Sequence, residues 1–148
     1  MTTDCSALLA SLARTLGCEG LDLSACGPLP LPLGAVTVTL EYDADRQALL
    51  LSSHTGNLQR EYRAFGMREL LCACKATVLQ SAASIGLGGE GVMLRKMLPV
   101  ATLEAAYFLR AVQEFAAVAD SLRAICAAGL RPPVERSKAR DELHWIKG

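Results

Sequence analysis

The residues of this chain that could do chemistry are few and scattered. Of its six cysteines only Cys72 and Cys74 lie close together, and on a helix two such positions diverge by about 200° at about 100° per residue. That divergence suits neither a shared metal nor a redox pair. The two histidines, His54 and His144, have no second ligand or carboxylate at metal-binding spacing. No nucleophile motif surrounds any cysteine or serine, and a Cys–His pair would have to be assembled in space. The run Gly86-Leu87-Gly88-Gly89-Glu90-Gly91 has the glycine content of a phosphate-cradling loop, yet no Lys-Ser or Lys-Thr follows it and the next segment patterns as a strand. A hairpin turn accounts for it. Arg95 and Lys96 occupy successive strand positions, so they point to opposite faces and form no basic patch. No catalytic residue, metal site or cofactor is expected, and binding replaces catalysis as the function to look for.

The totals narrow the kind of binding. With 148 residues the chain makes one domain with a substantial core. Fifteen basic and fifteen acidic residues cancel, which removes the global charge that draws proteins to nucleic acid or to anionic membranes. No apolar run approaches the ~20 residues of a membrane helix. Neither nucleic acid nor membrane insertion is expected. Hydrophobic residues make up 51% and aromatic ones only 5%, a balance that leaves apolar surface for a dimer contact or a partner. Six scattered cysteines without a preceding signal peptide fit six reduced thiols in a cytoplasm.

Residues 84–129 organise the elements. A glycine-rich hairpin leads into a strand at 92–98, and the chain passes through Pro99 into one long helix. There Phe108, Val112, Phe115, Ala119, Leu122 and Cys126 recur at spacings of three or four as a single apolar stripe. Thr102 is placed to cap the helix, Glu104 suits its positive end, and Gly129 suits its stop. About 27 residues at 1.5 Å each give roughly 40 Å, which calls for a sheet as partner surface.

The remaining elements follow in order. A first helix at 4–16 carries Leu8, Leu9, Leu12, Ala13 and Leu16 on one face and stops at Gly17. Pro28, Pro30 and Pro32 each lack a donor, so a strand there must be an edge. Val36, Val38, Leu40 and Tyr42 alternate with polar residues as a half-buried strand. The chain turns at 43–46 and returns at 48–52, and the polar stretch 54–63 reads as a loop or irregular edge. The helix that resumes near Phe65 and runs to 79 has Leu70, Leu71, Cys74, Val78 and Leu79 on more than one face. It is the expected dimer contact, together with Met93, Arg95 and Met97 of the following strand. Residues 130–148 turn abruptly charged and read as a solvated tail, which leaves 1–129 as the domain. The predicted fold class is α+β: helix, three strands, helix, two strands and a long helix, with an antiparallel sheet packed by helices in a homodimer.

This order resembles the class I chaperones of bacterial type III secretion, the Tir-chaperone family. The resemblance spans roughly residues 4–129 and is most specific from Cys74 to Cys126. Ala-Thr-Val-Leu-Gln-Ser-Ala-Ala-Ser-Ile-Gly-Leu joins the second helix to a strand, Gly-Gly-Glu-Gly turns, and Val-Met-Leu-Arg-Lys-Met-Leu-Pro-Val matches the last strand. Leu103-Glu104 and Phe115-Ala116-Ala117-Val118-Ala119-Asp120-Ser121-Leu122 stand where such chaperones carry their final helix. The chain departs from the family in being neutral rather than acidic and in its proline-rich first strand.

The resemblance implies a cytoplasmic bacterial homodimer. It would hold the extended N-terminal segment of a secreted effector in a secretion-competent state and deliver it to the apparatus, with the secretion ATPase as a candidate partner. A related dimeric regulator or adaptor that sequesters another secretion protein is the alternative. A short helix on a sheet margin leaves a groove, and the resemblance puts the client there, across Leu8, Leu12, Leu16, Val36, Val38 and Leu40. The same six residues also read as ordinary core.

Overall fold

The computed structural model of the chain describes residues 5–17, 27–57, 68, 70–72, 75, 80–88 and 91–127. In order these form α1 (Cys5–Thr15), β1 (Leu29–Leu33), β2 (Val36–Asp43) and β3 (Ala48–Asn57). A middle helix, α2, follows, with residues 68, 70–72, 75, 80 and 81 described as helical. The chain continues as β4 (Ser84–Gly88), β5 (Gly91–Pro99), a 3-10 turn (Val100–Thr102) and α3 (Ala105–Ala127). The α+β class and the order of elements are those expected from the sequence. Residues 89, 90 and 129, the tail 130–148 and its boundary at 129 lie outside the described residues.

The strands form one sheet in the order β1-β2-β3-β5-β4, with every neighbouring pair antiparallel. Hairpins join β1 to β2, β2 to β3 and β4 to β5. The first turn of the middle hairpin is held by Asp43, whose Oδ1 accepts from the Arg46 amide at 3.1 Å, and by Gln47, which takes a left-handed φ of 46°. The Gln47 carbonyl in turn accepts from the amide of Val100 at 3.0 Å. This bond ties the turn to the chain as it leaves β5 for α3.

Expectation and structure differ at β3 and at the start of α3. The polar stretch from His54 continues the strand to Asn57 rather than beginning a loop. Its composition made it look solvated, but Thr55, and Ser53 just before the stretch, are buried and satisfied by backbone. Ser53 Oγ donates to the Thr37 carbonyl at 2.8 Å, and Thr55 Oγ1 donates to that of Val92 at 3.1 Å. The register against β5 slips between His54 and Gly56, a bulge that bends the strand end. The long helix has 23 residues, about 35 Å at 1.5 Å each. Thr102 is in the 3-10 turn rather than at the cap, and the Glu104 carbonyl accepts the Phe108 amide at 2.8 Å.

One face of the sheet carries the core. Phe108, Ala111, Val112, Phe115, Val118, Ala119 and Leu122 form the buried stripe of α3, which lies across β2 and β3 and touches α1. Leu8, Leu9 and Leu12 of α1 join the same cluster. The α1 stop is as expected: the Gly17 amide donates to the Arg14 carbonyl at 3.2 Å, and φ is 73° there. Each large side chain in this cluster stabilises the fold by about 1.5–3 kcal/mol before entropy opposes it. From Val92 onward β5 divides its residues by parity. Val92, Leu94, Lys96 and Leu98 face the core, while Arg95 and Met97 face the opposite side.

Candidate functional site

The six residues expected to touch a client, three from α1 and its end and three from β2, belong to one core cluster or pack against it, and five of them are closed off. Leu8, Leu12, Val36, Val38 and Leu40 are buried by the chain itself, and only Leu16 is partly exposed. The apolar stripe of α1 is therefore spent on the domain's own core, where α1 touches α3. What remains accessible along this margin is Leu16 together with Leu29 and Leu33 of β1, each half-buried against the core.

The residues expected at a dimer contact divide in the same way. Leu70 is fully buried in the core cluster, whereas its neighbour Leu71 is 46% exposed. α2 thus anchors one side on its own domain and presents another. Cys74 and Val78 lie outside the described residues. On β5, Met97 is 50% exposed, Arg95 is exposed and Met93 is half-buried, all on the face turned away from α3. Exposed apolar side chains from α2 and from the open sheet face are what a partner would cover.

The two sheet margins differ in what they offer a strand. The register sets Leu29, Leu31 and Leu33 opposite Leu40, Val38 and Val36, and interleaves Pro30 and Pro32. Proline has no N–H, so ladder bonds to β2 come from the leucines, and the alternating positions turn their backbone outward. The outer margin of β1 consequently presents carbonyl acceptors and no donors at Pro30 and Pro32. An added strand could complete only half of a regular ladder there. β4, at the other margin, contains no proline and its residues are largely exposed, so it keeps donors as well as acceptors.

Residues with reactive side chains stand apart. Cys72 is an exposed free thiol, and Cys126 is a half-buried one. Burial raises the Cys126 thiol above its ordinary value of 9.0, partly offset by a hydrogen bond with the Thr55 side chain. Such a thiol is held protonated and unreactive. His54 is in β3, packed against Gly91, with Nε2 3.1 Å from Asn57 Oδ1. Among the described residues no group of three or more His, Cys, Asp or Glu is placed to hold a metal, and no helix is long and apolar enough to cross a membrane. The sequence pointed Lys96 away from Arg95 correctly but did not show that it would be buried. It also gave no sign that Tyr107, inside an apolar helix, would stand 45% exposed.

No protein-family model and no curated protein matches the chain. Solved structures do. The ExsC–ExsE complex matches with a TM-score of 0.64 and 22% identity over 83% of this chain and 93% of that one. The HopA1–SchA chaperone–effector complex matches at 0.61 and 18% identity, over 79% and 91%. The Yersinia pestis type III secretion chaperone SycH, in complex with a fragment of YscM2, matches at 0.58 and 17%, over 79% and 98%. At these identities the likeness is one of fold. It covers nearly the whole of each of those chains, and the fold is that of the type III secretion chaperones, as the sequence resemblance implied.

Proposed function

We propose that this chain is a homodimeric chaperone for the extended N-terminal segment of a protein secreted by a bacterial type III system. The observation that carries the reading is the fold shared with chaperones solved in complex with their partners, over 91% and 98% of the SchA and SycH matches. The physical features of the chain support it. Apolar side chains remain exposed at Leu71, Leu87, Met97 and Tyr107, and binding an extended segment needs spaced apolar contacts and backbone hydrogen bonds rather than a reaction. In this role the chain keeps its client unfolded in the reducing cytoplasm and passes it to the secretion apparatus, where the ATPase would receive it.

Leu71 and the Met93, Arg95 and Met97 side of β5 form the dimer contact in this reading, with Cys74 and Val78 alongside. The client runs past Leu16 and the rim of β1, over the margin that Leu8, Leu12, Val36, Val38 and Leu40 support from beneath. Co-expression with candidate secreted proteins is the test. A stoichiometric complex formed through the client's N-terminal segment supports the chaperone. Copurification of a transcriptional regulator in its place would favour the regulator or adaptor.

A further inference from the structure

Lys96 is the one lysine or arginine among the buried residues of the described structure, at 9% exposure on the core face of β5. Its cross-strand neighbour is Leu51, which is fully buried. Among the described residues the ion pairs are Arg46 with Asp43 and Arg123 with Asp120, and none of the described residues brings a carboxylate or hydrogen-bond acceptor to the Lys96 ammonium. A buried cation without a partner is costly, and the cost is relieved when an anion arrives.

Lys96 lines a groove of about 300 Å³ between the end of β5 and the start of α3. Its other walls are Ala82, Met97, Leu98, Pro99, Thr102, Leu103 and Tyr107. Tyr107 is half-exposed at its mouth and Met97 stands where the groove meets the dimer side of β5, and the Arg110 guanidinium lies 6.0 Å from the centre of the Tyr107 ring. The groove thus offers at its wall one cation without an acidic partner among the described residues, a second near its rim, and apolar surface between them. Its volume is at the lower end for ligand pockets, room for one or two side chains of an extended segment rather than for a folded surface.

We propose that this groove is a docking pocket for a carboxylate of the client segment, an Asp or Glu flanked by apolar residues, with Lys96 as its charge partner. The occupant rests on the chaperone reading. The charge does not, because a lysine on a largely buried wall, with no acid beside it among the described residues, favours an anion whatever carries it. A charge-assisted bond in a half-dry groove is also stronger than one at a free surface.

The test compares acetyl-Leu-Glu-Leu-amide with acetyl-Leu-Gln-Leu-amide by NMR titration, observing the Leu103 methyls, the Tyr107 ring and the Lys96 Cε. The acidic peptide is expected to shift all three and to bind about tenfold more tightly than the amide peptide. Lys96→Met keeps the volume and removes the charge, so it should erase the preference without lowering the unfolding temperature. Equal binding of the two peptides to the unmodified protein would overturn the proposal, and that comparison needs no variant. So would a preference that survives in Lys96→Met, or shifts confined to other residues. A client complex that forms with undiminished affinity in Lys96→Met would overturn the pocket while leaving the chaperone reading in place. A groove that prefers the acidic peptide in a protein that captures no client would overturn the client as its occupant.

Discussion

Gly56 in the bulge of β3 lies directly beneath Cys126 in the last turn of α3: a Cβ added to Gly56 would stand 2.6 Å from the Cβ of Cys126 and 3.2 Å from its Sγ. The end of the long helix can approach the sheet this closely only because position 56 has no side chain.

Gly56→Ala should destabilise the domain by about 1–3 kcal/mol, the usual cost of overpacking. Since the nearer clash is with a Cβ, Cys126→Ala should not rescue it, whereas Cys126→Gly should recover part of the loss against about 1 kcal/mol of lost helix propensity. Urea unfolding of the single and double variants measures this.

The Cys126 thiol should also reveal its burial through pH. Its native value is raised above 9.0 by desolvation, so above pH 9 the unfolded chain gives up this proton while the native chain keeps it. The native state then binds more protons, and stability falls as pH rises from about 9 towards the native value. Cys126→Ala should flatten that part of the stability profile. In the folded protein, alkylation of Cys126 should lag behind that of the exposed Cys72.

Leu12→Glu and Val38→Glu should each unfold the domain, because both residues are closed in the core and a buried unpaired carboxylate costs several kcal/mol. Leu16→Glu, at a half-exposed position, should leave the circular dichroism spectrum intact and weaken client capture. This difference separates the core beneath the margin from its accessible rim.

Replacing Pro30 and Pro32 together by Ala would restore two N–H donors to the outer margin of β1. The double variant should self-associate at concentrations where the unmodified protein holds a fixed mass, since a donor-competent edge strand pairs with others. Light scattering against concentration checks it; equal masses at every concentration would mean that the margin is blocked by something other than its missing donors.

α1, α3 and β2 were legible in the sequence because their burial is periodic. The stripe from Phe108 to Leu122 and the alternation from Val36 to Leu40 report the core face directly. β1 was placed at an edge by its prolines, and the structure puts it there. β3 past Ser52 was not legible. Ser53 and Thr55 look solvated in composition, and only the three-dimensional fold supplies the Thr37 and Val92 carbonyls that let them be buried. The binding residues were harder for the same reason. Period alone says which face of α1 is apolar, not whether that face meets its own domain or another chain, and Leu8 and Leu12 are buried in their own domain's core. Leu70 and Leu71 are adjacent in sequence, yet the fold buries one and exposes the other.

Amide hydrogen exchange on the complex of this chain with its co-expressed secreted protein tests the central claim most directly. The account predicts protection confined to an N-terminal segment of the client, with the rest of the client exchanging as an unfolded chain, and new protection on this chain at Leu16, the rim of β1 and the Lys96 groove. A client that is protected throughout as a folded domain, or one whose N-terminal segment exchanges as freely in the mixture as alone, would contradict it.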